Sequence, residues 1–193
     1  MHKKQDSAKK LFAIATAQQG YFTHQQAVEA GYGNSAAVFH VKAGNWLRAR
    51  HGIYRLAQFP PQDRPDLVLW ALWSANRKGE IQGVYSHETA LSIYELTDIM
   101  PAKFHITVPK LFRKNSAIPH NIVLHRADIK PQDIRKMQGY LITTPAKTIM
   151  DMLKAETIHP RDIMAALKQA TKSGLVTQEE ARRIRFTKQS HDQ

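Results

Sequence analysis

An α+β fold in two parts is predicted for this chain: a small helical front module closed by a β-hairpin, then a mixed α/β module with a helical tail. Three observations predict it. Short helical segments punctuated by glycine fill residues 7–44. A basic, alternating stretch from Trp46 to Leu56 follows at once. Beyond a break at Pro60, Pro61 and Pro65, apolar alternating runs interleave with helical ones.

In the front module, Ser7 is the expected cap of a helix reaching about Gln18, with Leu11, Phe12, Ile14 and Ala15 on one face and Gly20 as its stop. Thr23 is expected to cap a second, short helix, His24 to Ala30, ended by Gly31-Tyr32-Gly33. Asn34 is expected to cap a third, Ser35 to Ala43, with Gly44 at its end. Two short helices joined by a glycine-containing turn, with a supporting helix in front, predict a tri-helical helix-turn-helix. Trp46-Leu47-Arg48-Ala49 reads as a strand, Arg50-His51-Gly52 as a turn and Ile53-Tyr54-Arg55-Leu56 as a second strand. A basic hairpin directly after the third helix makes this an N-terminal winged helix-turn-helix. In that arrangement the third helix enters the major groove and the wing lies along backbone or minor groove.

The third helix is expected to turn Val38 and Val41 to the core, with Ala37 beside them. That leaves Ser35, Ala36, Phe39 and His40 outward. Ser and His side chains can hydrogen-bond base edges or phosphates, and Phe39 can lie against a thymine methyl. Arg48, Arg50, His51 and Arg55 on the hairpin, Lys42 near the helix end, and Lys9 and Lys10 in front are candidate phosphate or narrow-groove contacts. Winged helices also serve as protein-interaction modules, and a basic hairpin can be a solvated surface; both readings stay open here.

We place the domain boundary at residues 59/60. In the second part, Asp63 or Asp66 is expected to start a helix reaching about Lys78, apolar nearly all round and therefore buried or lying between the modules. Ser86 is the expected cap of a helix through Tyr94, with Thr89 at its third position. Strands are expected at 103–108, 122–125 and 140–143. Thr144-Pro145 then opens a helix to about Leu153. Helices over 161–172 and 178–185 complete a small mixed α/β domain with a helical C-terminal tail.

Charge separates the two parts. The chain of 193 residues carries a net charge of +12. Residues 1–59 hold eight basic and two acidic side chains, whereas the remaining 134 hold twenty and fourteen. The front is thus about twice as basic per residue, which marks it as the part that attracts polyanions. With no cysteine, disulfides, thiolate metal sites and cysteine nucleophiles are excluded. The N-terminus lacks the long apolar centre of a signal peptide, and the longest apolar run, Leu67 to Trp73, falls far below the roughly 20 residues that span a bilayer. A cytoplasmic protein without a membrane partner is expected.

Several segments together resemble a known family. They are Gly52-Ile53-Tyr54-Arg55-Leu56, Tyr85-Ser86-His87-Glu88-Thr89-Ala90-Leu91, Leu96-Thr97-Asp98, Phe104-His105-Ile106-Thr107-Val108-Pro109 and Thr143-Thr144-Pro145-Ala146-Lys147-Thr148-Ile149-Met150-Asp151. In their order and spacing, over roughly residues 7 to 153, they resemble the AbiEi antitoxins of bacterial type IV toxin–antitoxin systems. The resemblance implies a bacterial regulator that represses its own operon by binding inverted repeats in double-stranded DNA. It also implies a second domain that counters a nucleotidyltransferase-type toxin without a stable complex.

No catalytic constellation of high specificity emerges, and no cofactor or metal is expected. Phosphate-binding glycine loops and a nucleophile elbow are absent from the sequence. His87, Glu88, Asp98 and His105 form the one polar cluster in view. Helix-dipole placement suffices to explain Glu88, and Lys147 with Asp151 reads as an exposed i,i+4 pair. The chain is therefore expected not to be an enzyme. Two other readings stay open. One is a stand-alone winged-helix repressor whose second domain senses a ligand or dimerises. The other is a nucleic-acid-processing enzyme targeted by the front module.

Overall fold

The computed structural model describes residues 2–189, which form eight α-helices and two sheets. Its contacts divide the chain into two compact units, Met1–Gln82 with Lys136–Tyr140, and Gly83–Arg135 with Leu141–Gln193. No described helix is long and apolar enough to cross a membrane.

The first unit begins with α1 (His2–Ala17), which starts earlier than Ser7. Three-residue β1 (Tyr21–Thr23) follows, a strand too short to read by periodicity. Then come α2 (His24–Glu29), α3 (Ala36–Lys42), β2 (Trp46–Arg50), β3 (Ile53–Leu56) and α4 (Pro65–Trp73). Thr23 caps α2 as expected, through a capping box. Its hydroxyl accepts from Gln26 N at 3.2 Å while the Gln26 side chain accepts from Thr23 N at 2.9 Å. The helix α3 ends in a Schellman motif: Gly44 N donates to Val41 O at 3.1 Å and Asn45 N to His40 O at 2.9 Å. Gly44 itself takes a φ of 73°, the left-handed region that favours glycine.

The three strands form an antiparallel sheet in the order β1-β3-β2. Phe22 pairs with Tyr54, and Trp46 with Leu56. The register shifts between Arg48 and Arg50, a bulge near the tip of the hairpin. Arg50 pairs with Ile53, so it ends a strand rather than sitting in the turn, which is His51-Gly52. The core gathers Leu11, Ala15, Phe22, Ala27, Ala37, Trp46 and Tyr54. The Trp46 ring stands at its centre, 4.8 Å edge-on from Phe22, 5.1 Å from Tyr32 and 4.6 Å stacked on His40.

The first unit runs past the boundary drawn at 59/60. Proline at the first position opens α4, and its Leu67, Val68, Trp70, Leu72 and Trp73 are all buried. A helix apolar on every side must be covered on every side; it packs on β1 and β3, so the compact unit extends to Gln82. The helix stops at Trp73, short of Lys78.

The second unit holds β4 (Val84–Tyr85), α5 (His87–Ile93), β5 (Phe104–Val108), β6 (Ile122–Arg126), β7 (Ile134–Lys136), β8 (Leu141–Thr143), α6 (Pro145–Ala155), α7 (Pro160–Lys172) and α8 (Gln178–Gln189). Its sheet runs β6-β5-β4-β8-β7. Strand β4 pairs antiparallel with β5 and parallel with β8, and β5 pairs parallel with β6. The strands at 104–108, 122–126 and 141–143 match expectation, whereas two-residue β4 and three-residue β7 carry too few residues for a periodic signal. Leu91, Ile149, Met152, Ile163, Leu167 and Ile184 bring α5 to α8 together in one core.

Replacing Trp46 by Ala is expected to lower the unfolding free energy of the first unit by about 3–5 kcal/mol. Gly20→Ala is expected to destabilise as well, since a Cβ there would stand 2.5 Å from Phe59 Cγ at a φ of 88°. Urea unfolding followed by tryptophan fluorescence reads both; midpoints equal to wild type would contradict this description of the core.

Candidate nucleic-acid interface

Burial along α3 alternates in a helical stripe. Ala37 is buried, and Ala36, His40 and Val41 are half-buried against the core. The outward stripe is Ser35, Val38, Phe39 and Lys42, at i, i+3, i+4 and i+7. This corrects two expectations. Val38 points away from the core, with 61% of its surface exposed, beside Phe39, which faces outward as expected with 64%. Conversely, His40 and Ala36 lean inward. The imidazole of His40 stacks on Trp46 and its Nδ1 lies 3.3 Å from the Asn45 amide nitrogen. The physical reason is that the helix begins at Ala36, so the Ala37–Val41 row meets the sheet and Val38 falls a third of a turn away.

The remaining candidates also separate. Lys42, Arg48, Arg50 and His51 are exposed, as are Lys9 and Lys10 on α1. Arg48 Nη2 lies 3.3 Å from His51 Nδ1 across the turn. The guanidinium of Arg50 lies 4.5 Å over the Trp70 ring of α4, a cation–π contact that holds it near the end of the hairpin. Arg55 is committed elsewhere: its Nη2 donates to the carbonyls of Phe59 and Pro60, tying down the loop after β3. It thus acts within the fold. The first unit thus exposes both an apolar stripe on α3 and cations on the hairpin and α1, with Lys10, Asp6 and Glu29 lining the cavity beside Ser35 and Phe39.

The second unit assembles the other cluster. His87, Glu88 and His105 come together as the sequence suggested, but Asp98 lies exposed on a loop with its side chain in none of the cluster's contacts. His125 takes the remaining place. Its ring stacks on His87 at 3.7 Å between centroids and its Nε2 lies 3.1 Å from His105 Nδ1. That same His105 nitrogen stands 2.8 Å from Glu88 Oε2, a close but poorly aligned approach to a buried oxygen. The Thr157 hydroxyl donates to the other oxygen of Glu88. His125 lies on the neighbouring parallel strand, at a place no linear spacing reveals.

Ser86 stands at the N-cap of α5 as expected, but its side chain makes no capping hydrogen bond. Its hydroxyl bonds Thr107 Oγ1 at 2.7 Å and faces His87 Nδ1 at 2.9 Å, and His87 adopts a left-handed φ of 53°. Lys147 and Asp151 pair on α6 as expected, but half-buried rather than exposed, and their charges act on His87. Among the described residues, no group of three or more histidine or acidic side chains is arranged to hold a metal ion.

Burial sets the electrostatics of this cluster. Desolvation pushes the His125 pKa down to about 4, assisted by His87 and His105 and opposed by Glu88 and Asp151. Desolvation also lowers His87, against the pull of Asp151 and Glu88. For Glu88 burial acts upward, but hydrogen-bonding contacts with His105 and Thr157 outweigh it and bring the carboxyl to about 2.

No protein-family model matches this chain, and no curated protein matches it in sequence. Among solved structures, it is similar to the crystal structure of the RV2827C protein from Mycobacterium tuberculosis. The TM-score is 0.52 at 14% identity, over 92% of this chain and 70% of that one. The likeness is one of fold.

Acidification is expected to destabilise the second unit. A histidine whose folded pKa lies near 4 against 6.5 unfolded binds its proton preferentially in the unfolded chain, so stability falls as pH drops from about 6.5 to 4. Glu88 extends the loss below 4.5, since its folded pKa is about 2. Thermal unfolding between pH 7.5 and 4 checks this. His125→Phe is expected to flatten the dependence; an unchanged slope would remove His125 as its source.

Proposed function

We propose that this chain is a DNA-binding transcriptional regulator whose first unit is a winged helix-turn-helix. In this reading α3 is the recognition helix and the β2–β3 hairpin is the wing. The observation that carries it is the element order α1-β1-α2-α3-β2-β3, in which α3 presents an uncovered stripe beside exposed Lys42, Arg48, Arg50 and His51. The excess of basic side chains in residues 1–59 supports the same reading. Lys42 and Arg48 contact phosphates and Ser35, Val38 and Phe39 face base edges. The target is double-stranded DNA upstream of the protein's own gene, arranged as inverted repeats.

The resemblance of residues 7–153 to AbiEi antitoxins extends the proposal to the second unit. That unit counters a nucleotidyltransferase-type toxin, without holding it in a stable complex, while the first represses the shared operon. This part rests on the resemblance alone, and co-expression with a neighbouring nucleotidyltransferase-type gene tests it. Growth is restored if the proposal is right, and arrest persists if it is wrong.

DNA binding is tested with purified protein on its own upstream DNA against scrambled DNA of equal length, over a salt series. Preference for the upstream DNA is expected, with affinity falling steeply as salt rises. Arg48→Ala is expected to weaken binding to both DNAs and to reduce the salt slope by about 1. Absence of binding to either duplex at low salt would overturn the reading.

A further inference from the structure

The outward stripe of α3 has an unusual composition for a helix that meets base edges. Between Ser35 at its head and Lys42 at its foot stand only Val38 and Phe39, exposed by 61% and 64%. Neither side chain donates or accepts a hydrogen bond. The bidentate pairings that read guanine through Arg or Lys, or adenine through Asn or Gln, have no source in the first two turns of this stripe. Two adjacent large apolar side chains stay uncovered in water between Ser35 and Lys42, with Lys10, Asp6 and Glu29 lining the cavity beside Phe39. The Phe39 ring is also held, 5.2 Å and edge-on from His40, which is itself stacked on Trp46. It is a supported apolar probe.

The one apolar group that the major groove displays at a base edge is the C5 methyl of a pyrimidine. Resting on the DNA-binding reading above, we propose that Val38 and Phe39 read pyrimidine C5 methyl groups, so that specificity comes from methyl contacts rather than from hydrogen bonds to purines. Charge complementarity sets the occupant of this face. Lys9, Lys10, Lys42, Arg48 and Arg50 are exposed in the same unit and outnumber the exposed Asp6 and Glu29 beside Phe39, a surplus that suits a polyanionic duplex rather than a neutral or basic partner. Thymine is the ordinary source of the methyl; 5-methylcytosine carries the same group. Both present it to the groove, and neither requires a donor that the stripe lacks.

The test starts from the purified full chain and a pool of random-sequence 30-base-pair duplexes, from which the tightest binders are selected. The selected duplex is then remade with deoxyuridine at each thymine in turn, a change that removes only the methyl. Affinity is expected to fall on the order of fourfold for each contacted methyl removed. At those positions, 5-methylcytosine·guanine is expected to bind better than cytosine·guanine by a similar factor. The double variant Val38→Ser with Phe39→Ser lies on exposed positions, so it keeps the wild-type circular dichroism. It should lose the thymine-over-uridine preference while keeping the salt dependence of general DNA binding. Equal affinity of wild type for thymine and uridine duplexes would overturn the methyl reading and leave DNA binding standing, as would equal binding of methylated and plain cytosine. No binding to any selected or random duplex at low salt would overturn both.

Discussion

The packing of Trp46 is the constraint on which the first unit depends. It is the first residue of β2, only 3% exposed, and four aromatic rings meet it: Phe22 from β1, Tyr54 from β3, Tyr32 from the α2–α3 turn and His40 from α3. Each such ring pair adds about 0.5–1.5 kcal/mol beyond the area it buries. A single indole therefore couples the hairpin, the sheet and α3. The Schellman turn through Gly44 and Asn45 delivers the chain from α3 to this tryptophan within four residues. That leaves little freedom in how the hairpin stands beside the helix. The outward stripe of α3 follows from the same packing, because seating His40 and Ala37 inward leaves Val38 and Phe39 outside.

A division of labour results on the exposed face. Exposed positive charge lies on the hairpin and on α1, while the outward stripe of α3 is apolar between Ser35 and Lys42. Long-range attraction is insensitive to sequence and screened by salt, whereas apolar contact acts only at van der Waals distance. Arg50 and Arg55 show how basic residues of similar appearance diverge: one lies over Trp70 near the end of the hairpin, and the other is spent on the carbonyls of Phe59 and Pro60.

The second unit concentrates its unusual chemistry where β5 and β6 run parallel beside α5. Three imidazoles and one carboxylate share a half-buried volume, and His87 holds a left-handed conformation that costs on the order of 1–3 kcal/mol in a non-glycine residue. Stacking on His125 and the contact with Ser86 hold it there. Burial favours the neutral imidazoles of His87 and His125, while the Glu88 carboxylate beside them stays ionised at neutral pH.

Much of this fold was legible in local patterns. The cap at Thr23, the cap and proline at Thr144-Pro145, the hairpin from Trp46 to Leu56 and the tail helices all depend on neighbours within a few residues, and the structure places them where the sequence does. Short strands were not legible: Val84-Tyr85 sits at the centre of a five-stranded sheet, yet two residues have no period. Nor was the side of α3 that Val38 occupies, since a seven-residue helix of small and apolar residues has two plausible faces and only the position of Trp46 chooses between them. The joining of His125 to His87 and His105 came from strand pairing across twenty residues of chain. The sequence by itself thus determined element types, caps, turns and the basic bias of the front, because these are short-range properties of the chain. Tertiary structure alone decided which arginines stay exposed, which face of α3 looks outward and which histidines meet, because those are set by packing between segments distant in sequence.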